Sequence, residues 1–539
     1  MAAQRLFGIE TEYALCGVAA NGARATDDLA ARMMRMARSS LRHLPGRESS
    51  GMFLENGARF YLDSGSHPEF ASPECTEPAE AVRYVLAGEL VLTQILERLK
   101  TELPTTEMLL WRANVDYLNG ATWGQHESHL HRAKPKTLQC DLIPHLVSRI
   151  IYTGAGGFDS LGPGIEFLIS PRVAHLKQAV SASSTSNRGI FHTKEEHLAR
   201  NGARRLHIIC GETLCGQLGA WLKVATTALI VALSEAGLAP GADVALASPL
   251  DAMRTFAADV QCSAKATAQT GQDTLSAVDI QRHYLAACEA ARGREFMPVW
   301  ADEACVRWRD VLDRLARGAT GVESRLDWAM KLRLFESHIA RRGFDRRSLA
   351  TWNRFAHERR RRKLKLAATE LDQQTPEIIA FLRNLPLAQG GKRPLQQDDK
   401  LPPDQINELL RQHDLDGSGL ERFENLRAEL FEIDVRFGQL GGDGIFTALD
   451  KAGVLDHVVA GVERIEDAVT KAPPFTRAHA RGAAIVQLIS EANAACEWDR
   501  VYDLKNSRVL ELGDPFDTEG RWVTLQKNRL PTEATMSEL

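Results

Sequence analysis

Residues 5–15 read Arg-Leu-Phe-Gly-Ile-Glu-Thr-Glu-Tyr-Ala-Leu, and the interpretation of the fold starts from this stretch. Its side chains alternate with the period of two that is typical of a β-strand half buried against a core. Gly8, Glu10 and Glu12 fall on one face of that strand, and the apolar Phe7 and Ile9 fall on the other. The stretch therefore predicts a strand with a buried face and an acidic face.

A second strand is predicted at residues 58–63, and its faces also differ in chemistry. Arg59, Tyr61 and Asp63 share one face, whereas the apolar side chains between them point the opposite way. Further elements follow from their periodicity and end signals, as strands and as amphipathic helices. The strands are expected at residues 108–111 and 204–210, and the helices at residues 76–99 and 218–236.

Strands with charged faces, separated by helices and turns, are typical of the α+β class. We expect a curved, mostly antiparallel sheet with helices packed behind it and an active cleft in front. After Pro473 and Pro474 a last run of helix and short strands predicts a small C-terminal domain.

Composition narrows the class of protein. The chain has 539 residues, 44% of them hydrophobic, and its longest strongly apolar run, residues 224–233, is far shorter than the roughly 20 residues of a membrane span. Nine cysteines without a Cys-x-x-Cys pair favour free thiols in a reducing compartment. We expect a cytoplasmic protein without a membrane partner, and the net charge of -4 argues against nucleic acid as a partner.

Several oxygen ligands and almost no soft ones are expected in the cleft. Hard oxygen ligands select magnesium, which commonly binds substrate phosphates beside one or two carboxylates. Arg59 could meet phosphate oxygens with its planar fork. Taken alone, a Glu-x-Glu pair is an ordinary feature of an exposed strand face. The candidate ligands are Glu10, Glu12, Tyr61, Asp63, Glu69 and Glu74.

Longer runs resemble the signatures of one family, the Pup ligases and depupylases, which attach or remove a small prokaryotic ubiquitin-like modifier. The runs are Gly-Ile-Glu-Thr-Glu-Tyr at 8–13, Asn-Gly-Ala-Arg-Phe-Tyr-Leu-Asp at 56–63 and Ser-His-Pro-Glu-Phe at 66–70. Further runs agree in the same order, at residues 123–127, 204–207, 222–223, 279–282 and 473–477. The resemblance covers most of the chain outside a long insertion.

The resemblance implies a fold like that of glutamine synthetase and glutamate-cysteine ligase. It implies a catalytic domain at residues 1–470, with an insertion at about 353–427, and a small C-terminal domain at 471–539. It also implies ATP and Mg²⁺ as cofactors and a role for individual residues. Glu10, Tyr61 and Glu69 would hold magnesium, Arg59, Ser72 and Trp498 would contact ATP, and Asp63 would be the catalytic base.

The implied reaction joins the terminal glutamate of a Pup-like modifier to a lysine of a target protein, with a possible functional link to a bacterial proteasome. The alternative within the family is a depupylase or deamidase, which cleaves that bond or deamidates a glutamine-ended modifier. Residues 8–12 and 64–68 look like the ligase forms and favour ligation. Residues 114–116 and 188–190 look more like the depupylase branch.

Three local features stand apart from this interpretation. Ser128 occupies a position where the family usually has asparagine, which puts the role of that amide in doubt. His126, His129 and His131 are interpreted as ordinary strand residues, since no separated fourth zinc ligand stands out. A basic run at residues 359–363 is either a solvated helix face or a docking site for an acidic modifier.

Overall fold

The computed structural model describes residues 4–19, 21–22, 28–103, 106–184, 186–193, 202–361, 417–491 and 493–525. The strands are β1 (Phe7–Glu12), β2 (Ala14–Ala19), β3 (His43–Pro45), β4 (Met52–Leu54), β5 (Arg59–Asp63), β6 (His67–Ala71), β7 (Thr106–Trp111), β8 (Gln125–His131), β9 (Gly157–Phe158), β10 (Phe167–Leu168), β11 (Gln178–Ser181), β12 (Gly189–His192), β13 (Arg204–Ile208), β14 (Lys265–Thr267), β15 (Thr274–Ser276), β16 (Ala494–Glu497), β17 (Arg500–Asp503), β18 (Arg508–Glu511) and β19 (Arg521–Thr524).

The α-helices are α1 (Leu29–Ser40), α2 (Pro78–Glu102), α3 (Pro135–Ser148), α4 (Ile150–Thr153), α5 (Gln217–Glu235), α6 (Pro249–Ala258), α7 (Ala277–Ala290), α8 (Ala301–Leu315), α9 (Asp327–Arg341), α10 (Arg346–Arg361), α11 (Gly417–Phe437), α12 (Ile445–Lys451), α13 (Ile465–Thr470) and α14 (Arg477–Leu488).

The main sheet has seven strands in the order β13-β8-β1-β6-β5-β4-β3. Every neighbouring pair in it is antiparallel. This arrangement confirms the predicted α+β class with a mostly antiparallel sheet. The strand expected at residues 5–15 is shorter, because the chain turns at Tyr13 and residues 14–19 pair with β7 in a separate sheet.

Helices cover one face of the main sheet. Phe7 and Ile9 of β1 belong to the same buried cluster as Trp221 and Leu222 of α5. By length and composition α5 could cross a membrane, but 89% of its apolar window is buried inside the fold. It is therefore the central helix of the core, and the alternating side chains of β1 leave Glu10 and Glu12 on the uncovered face.

A second, four-stranded antiparallel sheet, β16-β17-β18-β19, follows helix α14. Ile485 and Leu488 of α14 pack with Val501 and Leu510 of this sheet and with Phe53 of β4. A bridge between residues 46 and 496 joins the two sheets at their edges. The small C-terminal unit thus lies against the β3 and β4 end of the main sheet; its predicted boundary at residue 471 stays a prediction.

The two ends of the predicted insertion are helices α10 and α11, and they pack on each other through aromatic side chains. Trp352 of α10 is fully buried and stacks on Phe423 of α11, with ring centroids 5.5 Å apart. Residues 362–416 lie outside the described residues, and with them the last two residues of the basic run at 359–363.

Candidate active site

One cavity of about 820 Å³ opens on the uncovered face of the main sheet. Its lining comes from β1, β5, β6, β8 and β13, together with loops and the C-terminal unit. The strands are antiparallel neighbours, so side chains two residues apart on each of them project into the same space. All seven residues singled out from the sequence line it, namely Glu10, Arg59, Tyr61, Asp63, Glu69, Ser72 and Trp498.

Cross-strand register places three oxygen-bearing side chains in one row. Glu12 of β1 is opposite Glu69 of β6, and Glu69 is opposite Tyr61 of β5. The Tyr61 hydroxyl donates a hydrogen bond of 2.5 Å to Glu69 Oε1. Carboxylate oxygens of Glu12, Asp63 and Glu69 all lie within 4.8 Å of one another. The register thus builds a compact carboxylate cluster at the end of β5.

The carboxylates of the cluster lie close enough to repel one another. Burial, together with the nearby carboxylates of Glu10, Glu12 and Asp63, raises the pKa of Glu69 to about 9. The same burial and the charges of Glu10 and Glu69 raise the pKa of Tyr61 well above its usual value. Hard oxygen ligands with excess negative charge fit a divalent cation such as Mg²⁺.

Glu10 belongs to a second group, which the sequence did not single out. Its carboxylate accepts a 2.7 Å hydrogen bond from Arg205 Nη2 and lies 3.4 Å from His207 Nε2 and 3.7 Å from His126 Nδ1. Burial would raise the pKa of Glu10, but Arg205 and the two histidines lower it well below the usual value. Glu10 is therefore ionised and already paired with a cation, unlike Glu69.

Ser128, the departure from the family pattern, supports this second group. Its hydroxyl oxygen accepts a 2.9 Å hydrogen bond from Arg205 Nε, and the same arginine reaches Glu10. A serine at this position thus orients the arginine that neutralises Glu10.

The three histidines of β8 lie on opposite faces of the strand. His126 enters the cavity, whereas His129 and His131 are buried on the helix side of the sheet. His129 Nε2 lies 3.3 Å from Glu127, which pairs with Arg149. Strand alternation therefore excludes a shared metal site for the three. The sequence did contain a signal that His126 and His207 belong to the site. Histidine and arginine alternate with other residues along β8 and β13, and this alternation places these two histidines on the strand face that lines the cavity.

Arg59 and Ser72 flank the cavity near β1. The Arg59 guanidinium lies 4.1 Å from the centre of the Tyr61 ring and donates to the carbonyl of Ser50 at 2.6 Å. Its Nε is buried and has no hydrogen-bond partner among the described residues, which fits an incoming phosphate oxygen. The Ser72 hydroxyl accepts from the backbone N–H of Ile9 at 2.9 Å, so it also fixes the start of β1.

Trp498 reaches the cavity from the C-terminal unit. Its ring meets Phe53 edge to face with centroids 5.2 Å apart, and the Arg481 guanidinium lies 5.0 Å from the ring centre. Arg481 and Arg477 both bind Glu74, with distances of 2.5 Å and 2.7 Å. Glu74, a candidate oxygen ligand in the sequence, therefore uses its carboxylate to hold the C-terminal unit in place.

Asp63 is the last residue of β5 and is only partly buried. No side chain donates a hydrogen bond to its carboxylate within the described part of the chain, so both oxygens can accept a proton from a substrate group.

The profile of the Pup-ligase protein family matches residues 5–353 and 409–502, which is more than half of the chain. The chain belongs to this family. The residues between the two matched parts, 354–408, fall within the predicted insertion. The carboxylate cluster, Arg59 and Trp498 all lie in the matched parts.

Relatives with similar sequences agree with the family match. The chain is 35% identical over 350 residues to a Pup--protein ligase of Nocardioides sp., a match that covers 63% of this chain and 75% of the relative. A Pup--protein ligase of Rhodococcus erythropolis is 35% identical, with 64% and 76% covered.

Two solved structures share the fold. The first is the complex between the prokaryotic ubiquitin-like protein Pup and its ligase PafA, with a TM-score of 0.71, 24% identity, and 96% of this chain and 90% of that chain covered. The second is the Pup ligase PafA in complex with ADP, with a TM-score of 0.64, 22% identity and 91% of each chain covered.

Proposed function

We propose that this chain is an ATP-dependent ligase that joins the terminal glutamate of a Pup-like modifier to a lysine of a target protein by an isopeptide bond. The observation that carries the proposal is the cluster of Glu12, Asp63 and Glu69 in one cavity with Arg59 and Trp498, in a member of the Pup-ligase protein family. An acidic cluster beside a guanidinium that forms no ion pair among the described residues suits a nucleoside triphosphate with its cation.

The reaction needs ATP because a carboxylate is a poor electrophile. The γ-phosphoryl group passes to the side-chain carboxylate of the modifier's glutamate and gives an acyl phosphate and ADP. Attack by the lysine amine then forms the amide and releases phosphate. Arg59, with its partnerless Nε, would bind the phosphoryl oxygens, and Trp498 would hold the nucleotide base.

Magnesium is proposed at Glu69, with Glu12 and the sequence candidates Glu10 and Tyr61 around it. When bound, the ion neutralises the charge of the transferring phosphoryl group. Burial and the carboxylates packed around Glu69 raise its pKa, and a divalent cation would relieve the repulsion among them, which supports this placement. Glu10 is already paired with Arg205, so its contribution is to fix the edge of the site.

Asp63 is proposed as the base that deprotonates the attacking lysine. A lysine side chain has a pKa of about 10.4 in water, so it must lose a proton before it attacks. Asp63 lies at the open end of β5, and no hydrogen-bond donor from the described residues occupies its carboxylate. Its neighbours Glu12 and Glu69 make the spot attractive to a lysine ammonium.

Location and wider partners remain part of the proposal. All nine cysteines, each of them in the described part of the chain, are free, which fits a reducing cytoplasm. A link to a bacterial proteasome is proposed from the family alone.

Intact-protein mass spectrometry tests the function. The enzyme is mixed with ATP, Mg²⁺, a glutamate-ended Pup and a lysine-bearing acceptor, and a preformed conjugate is incubated in parallel. A ligase adds one modifier less a water to the acceptor, and chelation of Mg²⁺ abolishes the product. Cleavage of the conjugate without any ligation would instead assign the chain to depupylation.

A substitution of Asp63 tests the role of the base separately from ATP binding. Asp63→Asn should remove most turnover while ATP binding, measured by calorimetry, stays within about twofold of the original. The matched control is Asp313→Asn, a half-exposed aspartate paired with Arg282 far along the chain. Full activity of Asp63→Asn would show that Asp63 is not the base.

A further inference from the structure

A set of basic side chains lines a wall of the cavity that the proposed chemistry does not use. We call it the basic wall; it consists of His175, Lys177 and Arg188. His175 ends a short 3₁₀ turn, Lys177 precedes β11, and Arg188 precedes β12. The parallel pairing of β11 and β12 brings these side chains together, and the backbone N–H of Lys177 donates to the carbonyl of Arg188 at 3.0 Å.

Arg188 is held in a fixed orientation by neutral groups. Its Nη1 donates to Thr122 Oγ1 at 2.7 Å and its Nε donates to the carbonyl of Ser184 at 3.0 Å. No carboxylate forms an ion pair with it among the residues that the structure describes. Two of its nitrogens are thus used for positioning, and its positive charge is left for a ligand.

Burial and the nearby Arg172 lower the pKa of Arg188 to about 10, whereas Glu12 raises it without forming an ion pair with it. Burial and the nearby Arg172, Arg188 and Lys177 lower the pKa of His175 to about 4. Arg172 is itself buried, and its Nε has no hydrogen-bond partner within the described ranges. Arg172 already has Glu12 and Glu212 nearby, so the half-buried Arg188 is the cation that gains from an arriving anion. The basic wall is therefore built for an anionic group.

The substrate of the proposed reaction supplies such a group. A glutamate at the end of a chain carries two carboxylates, the side-chain carboxylate that reacts and the α-carboxylate that does not. A glutamate inside a chain carries only the first. The carboxylate cluster repels both, so the α-carboxylate needs a separate, cationic place in the cavity.

We propose that Arg188, assisted by Lys177, binds the α-carboxylate of the modifier's terminal glutamate and thereby restricts the enzyme to a free chain end. This inference rests on the proposed ligase function. It adds that the site recognises the α-carboxylate of the substrate. A planar guanidinium matches a carboxylate through two parallel hydrogen bonds, which gives both affinity and orientation. The side-chain carboxylate is then presented to the nucleotide.

The test changes the modifier first. Conjugation by the unmodified enzyme is measured with Pup ending in glutamate and with Pup whose terminal α-carboxylate is a carboxamide, the side-chain carboxylate being intact in both. Loss of a charge-assisted bidentate contact should raise KM for the carboxamide by roughly tenfold to a hundredfold. Equal KM values for the two modifiers would overturn the inference.

A substitution of Arg188 in the enzyme, measured with both modifiers, completes a double-mutant cycle. Arg188→Gln should raise KM for the natural modifier by a similar factor and lose the discrimination between the two modifiers, while its Kd for ATP stays unchanged. Arg333→Gln, which removes an exposed arginine outside the cavity, is the matched control and should behave like the unmodified enzyme. Retained discrimination in Arg188→Gln, or an equal loss of ATP binding, would assign Arg188 another role.

Two further measurements distinguish a failure of this inference from a failure of the proposed function. Lys177 is exposed, so Lys177→Met tests the basic wall without risk to folding and should reduce the discrimination several-fold. Binding of the two fluorescently labelled modifiers is measured as well, without turnover. Normal conjugation without discrimination would refute only this inference, whereas the absence of conjugation and of modifier binding would refute the proposed function.

Discussion

The buried contact between Glu74 and two arginines of α14 makes a quantitative prediction. Replacing Glu74 by glutamine leaves Arg477 and Arg481 in place, 3% and 0% exposed, without their counter-charge. Breaking a buried ion pair on one side costs about 3–5 kcal/mol. Arg481 also donates to the carbonyl of Trp498 at 2.7 Å, so the C-terminal unit should loosen where it reaches the cavity.

The pKa of Glu74 leads to a similar magnitude. Burial would raise it, but Arg481 and Arg477 lower it from the ordinary 4.5 to about 2. A difference of that size corresponds to about 3 kcal/mol of stability near neutral pH. Because the pKa is lower in the folded state, this stabilisation is fully present above about pH 4.5 and is lost as the pH falls through about 2.

Urea denaturation followed by circular dichroism, repeated from pH 7 down to pH 2, measures both effects. Glu74→Gln should lose about 3 kcal/mol near pH 7, and the difference from the original protein should shrink toward zero in acid. Glu491→Gln removes the partly exposed partner of the exposed Lys505 and should cost less than about 1 kcal/mol. Equal stability of Glu74→Gln and Glu491→Gln near pH 7, or a pH-independent difference, would refute the reasoning.

Three further outcomes are expected. Trp498→Ala should raise the Kd for ATP roughly tenfold by calorimetry, whereas Trp498→Phe keeps an aromatic face and should change it far less. Arg205→Gln removes the cation that holds the pKa of Glu10 down, so the acid limb of the pH–rate profile should move to higher pH, and an unmoved limb would exclude this coupling. Trp352→Ala deletes a fully buried ring stacked on Phe423 and should lower the free energy of unfolding by about 3–5 kcal/mol, with activity per folded molecule retained.

Much of the fold was predictable because it depends on local periodicity. Alternation along residues 5–15 and 58–63 identified β1 and β5, and Pro78 identified the start of α2. The α+β class and the family were confirmed. The end of β1 was missed, since residues 14–19 leave the main sheet and pair with β7, a long-range contact that no local pattern reveals.

The sequence predicted which residues line the candidate site, but it did not predict which of these residues contact one another. The sequence placed Glu10 with Tyr61 and Glu69 in one metal set. The structure brings carboxylate oxygens of Glu69 within 4.8 Å of those of Glu12 and Asp63. The Glu10 carboxylate instead pairs with Arg205 and lies beside histidines of neighbouring strands. The roles proposed for these residues stay predictions until the variants are measured.

The sequence by itself determined the face on which each strand residue lies, because a strand has a period of two wherever it is placed. It thereby determined that carboxylates and arginines would line a cleft. Only the tertiary structure decided which strands are neighbours, and hence that Glu12, Glu69 and Tyr61 form a row. It also decided that Glu74 binds arginines some 400 residues later in the chain, because buried charges pair with whatever cation folding brings near.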